Sequence, residues 1–145
     1  LQTFTPNIYA VGECVQHRKK TFGLVAPLFE QAKVCANHLV DMGISSYVSS
    51  VTSTKLKVTG INLFSAGNYV GDEDTESMVF KDPARHVYKK LVIKNNKIVG
   101  IVLYGETSDG NWYFSLLSEQ QDITEIRENI LFGQHHVDEI EDANT

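Results

Sequence analysis

The chain has 145 residues, 18 of them acidic and 13 basic, for a net charge of -5 with neutral histidines. With 42% hydrophobic, 10% aromatic and 21% charged residues it carries enough apolar mass for a core, which excludes wholesale disorder and leaves room for one domain, or one small domain and part of another. No apolar run approaches the roughly 20 residues of a membrane span and no basic-then-apolar leader is visible, so no membrane partner is expected and a cytoplasmic location is the default.

The start reads as mid-domain. Leu1 is not a methionine and Thr3 to Val11 already runs as a turn followed by a strand, so the expectation is a carboxy-terminal piece of something longer. Ile8 to Val11, between Pro6-Asn7 and Gly12, has the pattern of a strand covered on both faces. Stripped of neighbours, such a strand is expected to rearrange or to pair between copies. Glu13 to Gly23 reads as a polar loop in which Arg18, Lys19 and Lys20 are solvated charges. Helical periodicity follows: Leu28, Ala32, Cys35 and Leu39 form one stripe, with Phe29, Ala36 and Val40 beside it. Pro27 suits the first turn and Gly43 the left-handed cap, which predicts a helix over Pro27 to Met42. Cys14 and Cys35 are 21 residues apart, a spacing that suits neither a metal knuckle nor a redox pair, and Cys35 is expected in a core.

The stretch Ile44 to Ser53 holds five serines and a threonine and is read as a linker. Beyond it Thr54 to Thr59 alternates, with Lys55 and Lys57 expected outward and Leu56 and Val58 inward, and Ile61 to Phe64 continues the sheet after Gly60. Gly71 to Asp74 is an acidic loop, and Ser77 to Lys81 a short strand stopped at Asp82-Pro83. Two apolar runs, Val87 to Lys94 and Lys97 to Tyr104, flank Asn95-Asn96, and asparagine tolerates the positive φ of a two-residue hairpin turn. Trp112 to Gln121 and Ile123 to Phe132 read as two short helices, the second capped by Asp122 or Thr124 and closed by Gly133. Val137 to Thr145 holds four acids and no base, leaving 14 acids against 13 bases elsewhere; residues 134–145 are expected as an acidic flexible tail. A near-neutral body with scattered bases offers no cationic stripe, so no nucleic acid is expected as a partner.

Thr3-Phe4-Thr5-Pro6-Asn7-Ile8-Tyr9-Ala10-Val11-Gly12-Glu13 resembles the second flavin-binding motif of the flavoprotein oxidoreductases with two dinucleotide-binding domains: a threonine, a strand ending in aromatic-Ala-x-Gly, then an acid. Gly12-Glu13-Cys14-Val15, His17-Arg18, Phe22 to Lys33, Ser53 to Gly60 and Leu63 to Gly67 narrow the likeness. Together they are similar to the large subunit of assimilatory NAD(P)H nitrite reductases and to the related NADH:rubredoxin oxidoreductases, from Thr3 to about Gly133.

The resemblance implies an α+β architecture: the last strand and helix of an FAD-binding domain (1–45), then a small domain with a mostly antiparallel sheet and two carboxy-terminal helices (50–133). Glu13 would accept hydrogen bonds from the ribityl hydroxyls of FAD, with Gly12 removing the side chain that would block their approach. The amides of Leu24, Val25 and Ala26, at the positive end of the helix, would lie beside the pyrimidine edge of the flavin. No Gly-x-Gly-x-x-Gly occurs, so the FAD pyrophosphate and NAD(P)H loops would belong to polypeptide outside this chain. No catalytic residue and no metal ligand is expected here; the adjacent His135-His136 are a weak metal signal. The implied function is electron transfer from NAD(P)H through FAD to an acceptor, in nitrite reduction and nitrate assimilation or toward rubredoxin, with a homodimer by analogy. The alternative is a non-catalytic dimerisation or partner-binding module built on the Val87 to Tyr104 hairpin, separable by whether the longer protein carries flavin.

Overall fold

In the computed structural model, which describes residues 1–40 and 46–143, the chain divides into two units, Leu1–Thr52 and Ser53–Thr145. In the first, Asn7 takes φ 67°, a left-handed conformation that asparagine tolerates, and folds the chain back on itself. Thr3 N–H donates to the Ile8 carbonyl at 2.9 Å, Ala10 N–H to the Leu1 carbonyl at 3.1 Å, and one antiparallel bridge joins Gln2 and Tyr9. The buried strand expected over Ile8 to Val11 is thereby reduced to a bridge with the chain's own first residues, and Ile8 is 52% exposed. A strand of that pattern needs neighbours on both edges and both faces, which the described residues of this unit do not supply.

The polar loop contains a miniature hairpin, β1 (Gln16–His17) and β2 (Lys20–Thr21), turned by Arg18 and Lys19 at positive φ. It leads into α1 (Val25–Leu39), with Pro27 in the first turn. The face that α1 buries differs from the expected stripe. Pro27, Gln31 and Cys35 are buried, spaced four apart and so stacked along one line, while Phe29, Leu39 and Val40 are more than half exposed. This unit presents only a thin layer of loop to the helix, and that layer covers the Pro27–Gln31 flank. Met42 and Gly43, where the helix end and cap were expected, lie outside the described residues, as does the start of the linker at Ile44.

The second unit is built on a five-stranded, wholly antiparallel sheet of order β3-β4-β7-β6-β5, formed by β3 (Ser53–Val58), β4 (Ile61–Gly67), β5 (Glu76–Asp82), β6 (Val87–Lys94) and β7 (Lys97–Tyr104). Asn95 and Asn96, at φ 52° and 54°, make the expected two-residue turn between β6 and β7. One sheet face carries Phe64, Ala66, Leu91, Ile93, Ile98, Ile101 and Leu103 and packs on Tyr113, Leu116 and Leu117 of α2 (Gly110–Ser118) together with Ile123 and Ile130. The α+β class with a mostly antiparallel sheet is as expected.

Three local expectations are corrected. Register places Lys55 opposite Phe64, on the core side, with its Nζ 5.7 Å from the Phe64 ring centroid, while Leu56 pairs with Leu63 on the other face and is 48% exposed. At this exposed edge of the core the lysine stem lies over Phe64 while its Nζ donates to Asn111 Oδ1 in the first turn of α2 at 2.8 Å. Ile123 to Phe132 is a run of turns ending in a 3₁₀ turn at Ile130–Phe132, tied by Ile126 N–H to Ile123 and Asn129 N–H to Ile126, with Asp122 accepting the Thr124 N–H at 2.9 Å. Sinking Ile123 and Ile130 into the core takes precedence over helical spacing. The acidic terminus begins not as a tail but as α3 (Gln134–Ala143), which buries Val137 and starts after Gly133, itself at φ 99°.

Candidate functional site

The expected site residues all lie in the first unit. Gly12 takes φ 105°, where L side chains are strained, and a Cβ added there would meet nothing within 4 Å: the space over the glycine is open. Its carbonyl accepts the Val15 N–H at 3.1 Å, closing a tight turn that holds Glu13 and Cys14 at its tip. Glu13 is exposed, and its carboxylate makes no hydrogen bond or ion pair with the described residues. The Gly12 N–H points the other way, donating to Gln31 Oε1 on α1 at 3.1 Å.

At the start of α1, Leu24 is the N-cap residue, extended at φ -119° and ψ 144°, with no side-chain cap. The first backbone N–H groups of a helix have no intrahelical partner, and here Leu24, Val25 and Ala26 supply three of them while Pro27 supplies none. Val25 is 64% exposed and Ala26 is exposed, while Leu24 is half-buried. Gln31 lies six residues into the helix from Val25, about 9 Å along its axis at the usual helical rise. The structure therefore hangs the Gly12–Glu13 turn from the same helix whose first turn bears the free amides. A carboxylate acceptor and a set of amide donors suit a ligand rich in hydroxyls at one place and anionic at another.

Gln31 is the residue that sequence reasoning missed. A signal was present: it sits midway between Pro27 and Cys35 at helical spacing, a polar side chain on their line. Other chemistry-bearing groups assemble elsewhere. Tyr9, His17, Val34, Cys35, His38 and Tyr47 line a hollow of about 280 Å³, but no group of three or more metal-ligating side chains exists among the described residues. His135 pairs with Glu139 at 3.5 Å and His136 packs edge-on against Phe132, so the adjacent histidines face different neighbours.

In the second unit Lys89, 6% exposed, sits with its Nζ 2.9 Å from Glu106 and 3.2 Å from Asp109. Burial works to raise the Glu106 carboxyl, but hydrogen bonds from the Ser108 hydroxyl and amide and from Lys89 outweigh it and leave the group below its ordinary value. Asp109 also accepts the Gln134 N–H at 3.3 Å, so this knot joins β6, α2 and α3. Its geometry is that of a structural anchor.

The family described as "Rubredoxin NAD+ reductase C-terminal domain" matches residues 53–121, from the first residue of β3 to just past α2. The likeness read from Thr3 onward also holds beyond this domain. The chain is 47% identical over 125 residues to "Nitrite reductase [NAD(P)H]" of Bacillus subtilis, covering 86% of this chain and 16% of that protein. It is 40% identical over 131 residues to the "Assimilatory nitrate reductase electron transfer subunit" of the same organism, covering 90% and 17%. The crystal structure of NADH:rubredoxin oxidoreductase from Clostridium acetobutylicum shares the fold with a TM-score of 0.64 at 23% identity, over 86% of this chain and 32% of that one. The chain thus corresponds to about one sixth of the length of these curated relatives. No described helix is long and apolar enough to cross a membrane.

Proposed function

We propose that this chain works as the carboxy-terminal portion of the reductase part of an FAD-dependent NAD(P)H oxidoreductase of the nitrite reductase kind. Residues 1–45 would complete an FAD-binding domain, and the rubredoxin-reductase C-terminal domain would follow from about residue 50. FAD, when bound, takes reducing equivalents from NAD(P)H and releases them to an acceptor. This chain's own part is to hold the cofactor at two places. The Glu13 carboxylate accepts hydrogen bonds from ribityl hydroxyls, unobstructed because Gly12 has no side chain. The Leu24, Val25 and Ala26 amides donate toward the pyrimidine edge, where reduction leaves negative charge that the helix end favours by roughly 0.3 to 1 kcal/mol. NAD(P)H would be held by polypeptide outside these residues.

The observation that carries the reading is the turn at Gly12, with its open space and unpaired acid, suspended from a helix whose first amides are free, in a chain 47% identical to a nitrite reductase. The test is spectroscopic. A full-length protein carrying this segment is expected to show oxidised-flavin absorbance, and the 145-residue chain alone to bind FAD weakly or not at all. In the full-length protein Glu13→Ala is expected to lower flavin occupancy after dialysis; unchanged occupancy removes Glu13 from the site. A colourless full-length protein defeats the reading.

One feature favours a second role beside the first. The sheet face opposite α2 carries Leu56, Leu63, Tyr104 and Tyr88 in one register row, and among the described residues of this unit no helix packs on it. Such a face suits an assembly contact, including a homodimer. Sedimentation of the full-length protein, with Leu56→Glu as the disrupting variant, tests it.

A further inference from the structure

We propose that Gln31 is a positioning residue for the flavin site, acting through the Gly12 backbone; this rests on the flavin reading above. Gln31 is 0% exposed, and it occupies the middle of the buried face of α1, between Pro27 and Cys35. An apolar residue would fill that place with no polar group to satisfy. Instead the amide is split. Because Gly12 offers an N–H, the side chain must turn its oxygen toward it, and the 3.1 Å bond across 19 residues of sequence is made at Oε1. That orientation leaves Nε2 buried with no partner among the described residues. An unpaired buried donor is a standing penalty to folding, so the stability of the helix does not explain the choice of glutamine.

The hydrogen bond explains it better. The Gly12 N–H belongs to no ladder: Ala10 makes the last backbone bond of the amino-terminal turn and Val15 the next. Gln31 is therefore the tie that sets where Gly12 sits relative to α1. Glu13, which follows directly, inherits its position from that tie, and so does the separation between the carboxylate and the amides of Leu24 to Ala26. Two flavin contacts on two different segments must match one rigid ligand, and a single side chain holds the segments in register. Gln31 Nε2 is itself shielded from solvent, so Gln31 acts on the ligand only through Gly12.

The test uses the full-length flavoprotein and its apoprotein. Gln31→Leu removes the acceptor and the orphaned donor together; Gln31→Glu keeps an acceptor for Gly12. With Gln31→Leu, FAD affinity is expected to fall about tenfold, the scale of one ordinary hydrogen bond, while the apoprotein melting temperature holds or rises. Gln31→Glu is expected to restore affinity. A second measurement needs no flavin: in the wild-type apoprotein the Gly12 amide should exchange with deuterium more slowly than that of Glu13, and Gln31→Leu should abolish the difference. Equal exchange at Gly12 and Glu13 in the wild type overturns the proposal, whether or not flavin binds. So does FAD affinity unchanged in Gln31→Leu when Glu13→Ala lowers it, an outcome that leaves the flavin reading standing. Parallel loss of affinity and melting temperature in both variants also overturns it, by reducing Gln31 to a packing residue. A flavin-free wild type with a protected Gly12 amide sinks the flavin reading and with it the proposed role.

Discussion

Tyr113 shows how one side chain can secure a segment that lacks regular structure. It is fully buried, and its hydroxyl donates to the Ile130 carbonyl at 2.6 Å, at the start of the 3₁₀ turn. Burial, reinforced by the negative charges of Asp109 and Glu106, pushes the phenol well above its ordinary value of 10.0. The folded state therefore holds this proton more tightly than the unfolded chain. Stability from this source is complete below the ordinary phenol value and is lost as the pH rises above it, where only the unfolded chain ionises. Tyr113→Phe is expected to cost about 0.5–1.5 kcal/mol near neutrality, the net worth of one hydrogen bond, because the Ile130 carbonyl keeps the Gly133 N–H at 3.2 Å. It should also flatten the alkaline loss of stability. Urea melts of the two proteins on either side of pH 10.0 check both; an unchanged alkaline slope would show that this phenol ionises in the folded protein.

Among the elements, α1 carries the functional argument through its amino end. Val25 occupies the first helical position, after an N-cap residue in the extended conformation that proline requires of its predecessor. Val25→Pro thus deletes one of the three free amides while leaving the helix its start. Stability is expected to change by less than about 0.5 kcal/mol, as for an exposed substitution away from special contacts. In the full-length flavoprotein the reduced cofactor should bind several-fold more weakly than the oxidised one relative to wild type, which appears as a lower flavin midpoint potential. An unaltered potential would place the pyrimidine edge elsewhere. The same helix shows why a buried face can depart from the apolar stripe. Periodicity identifies an amphipathic element and its apolar stripe, but the packing surface is chosen by whatever lies alongside. Here the turn at Gly12 recruits the flank with Gln31, and Phe29, Leu39 and Val40 stay largely exposed.

At the scale of the molecule the two units differ in how much core they own. The second encloses a continuous cluster from Phe64 to Ile130, including seven side chains from three strands and the buried residues of α2. Among its described apolar side chains the first buries only Val15, Pro27, Cys35 and Tyr47. Small units need a core to offset chain entropy, so residues 53–145 expressed alone are expected to unfold in one cooperative thermal transition. Residues 1–52 alone should show none. Circular dichroism melts of the two pieces decide it, and a sharp transition in the smaller one would mean that its exposed helix face is not waiting for further polypeptide.

The hairpin at Asn95-Asn96, the sheet rhythm beyond residue 53, the proline at the start of α1 and the Gly12-Glu13 sequence were all legible in the chain because each depends on local backbone preference: positive φ, alternation, a missing N–H, an absent Cβ. The sequence by itself determined the α+β class and the kinship with nitrite reductases and rubredoxin reductases. Only the tertiary structure decided which face of α1 is buried, that Ile123 to Phe132 winds as turns rather than a helix, that residues from Gln134 form α3, and that Gln31 reaches back to Gly12. Each of these turns on a partner distant in sequence: a packing surface, a core position for Ile130, the carboxylate of Asp109, a backbone amide 19 residues away. Periodicity is a property of one segment, whereas the choice of partner depends on which segments the fold brings together.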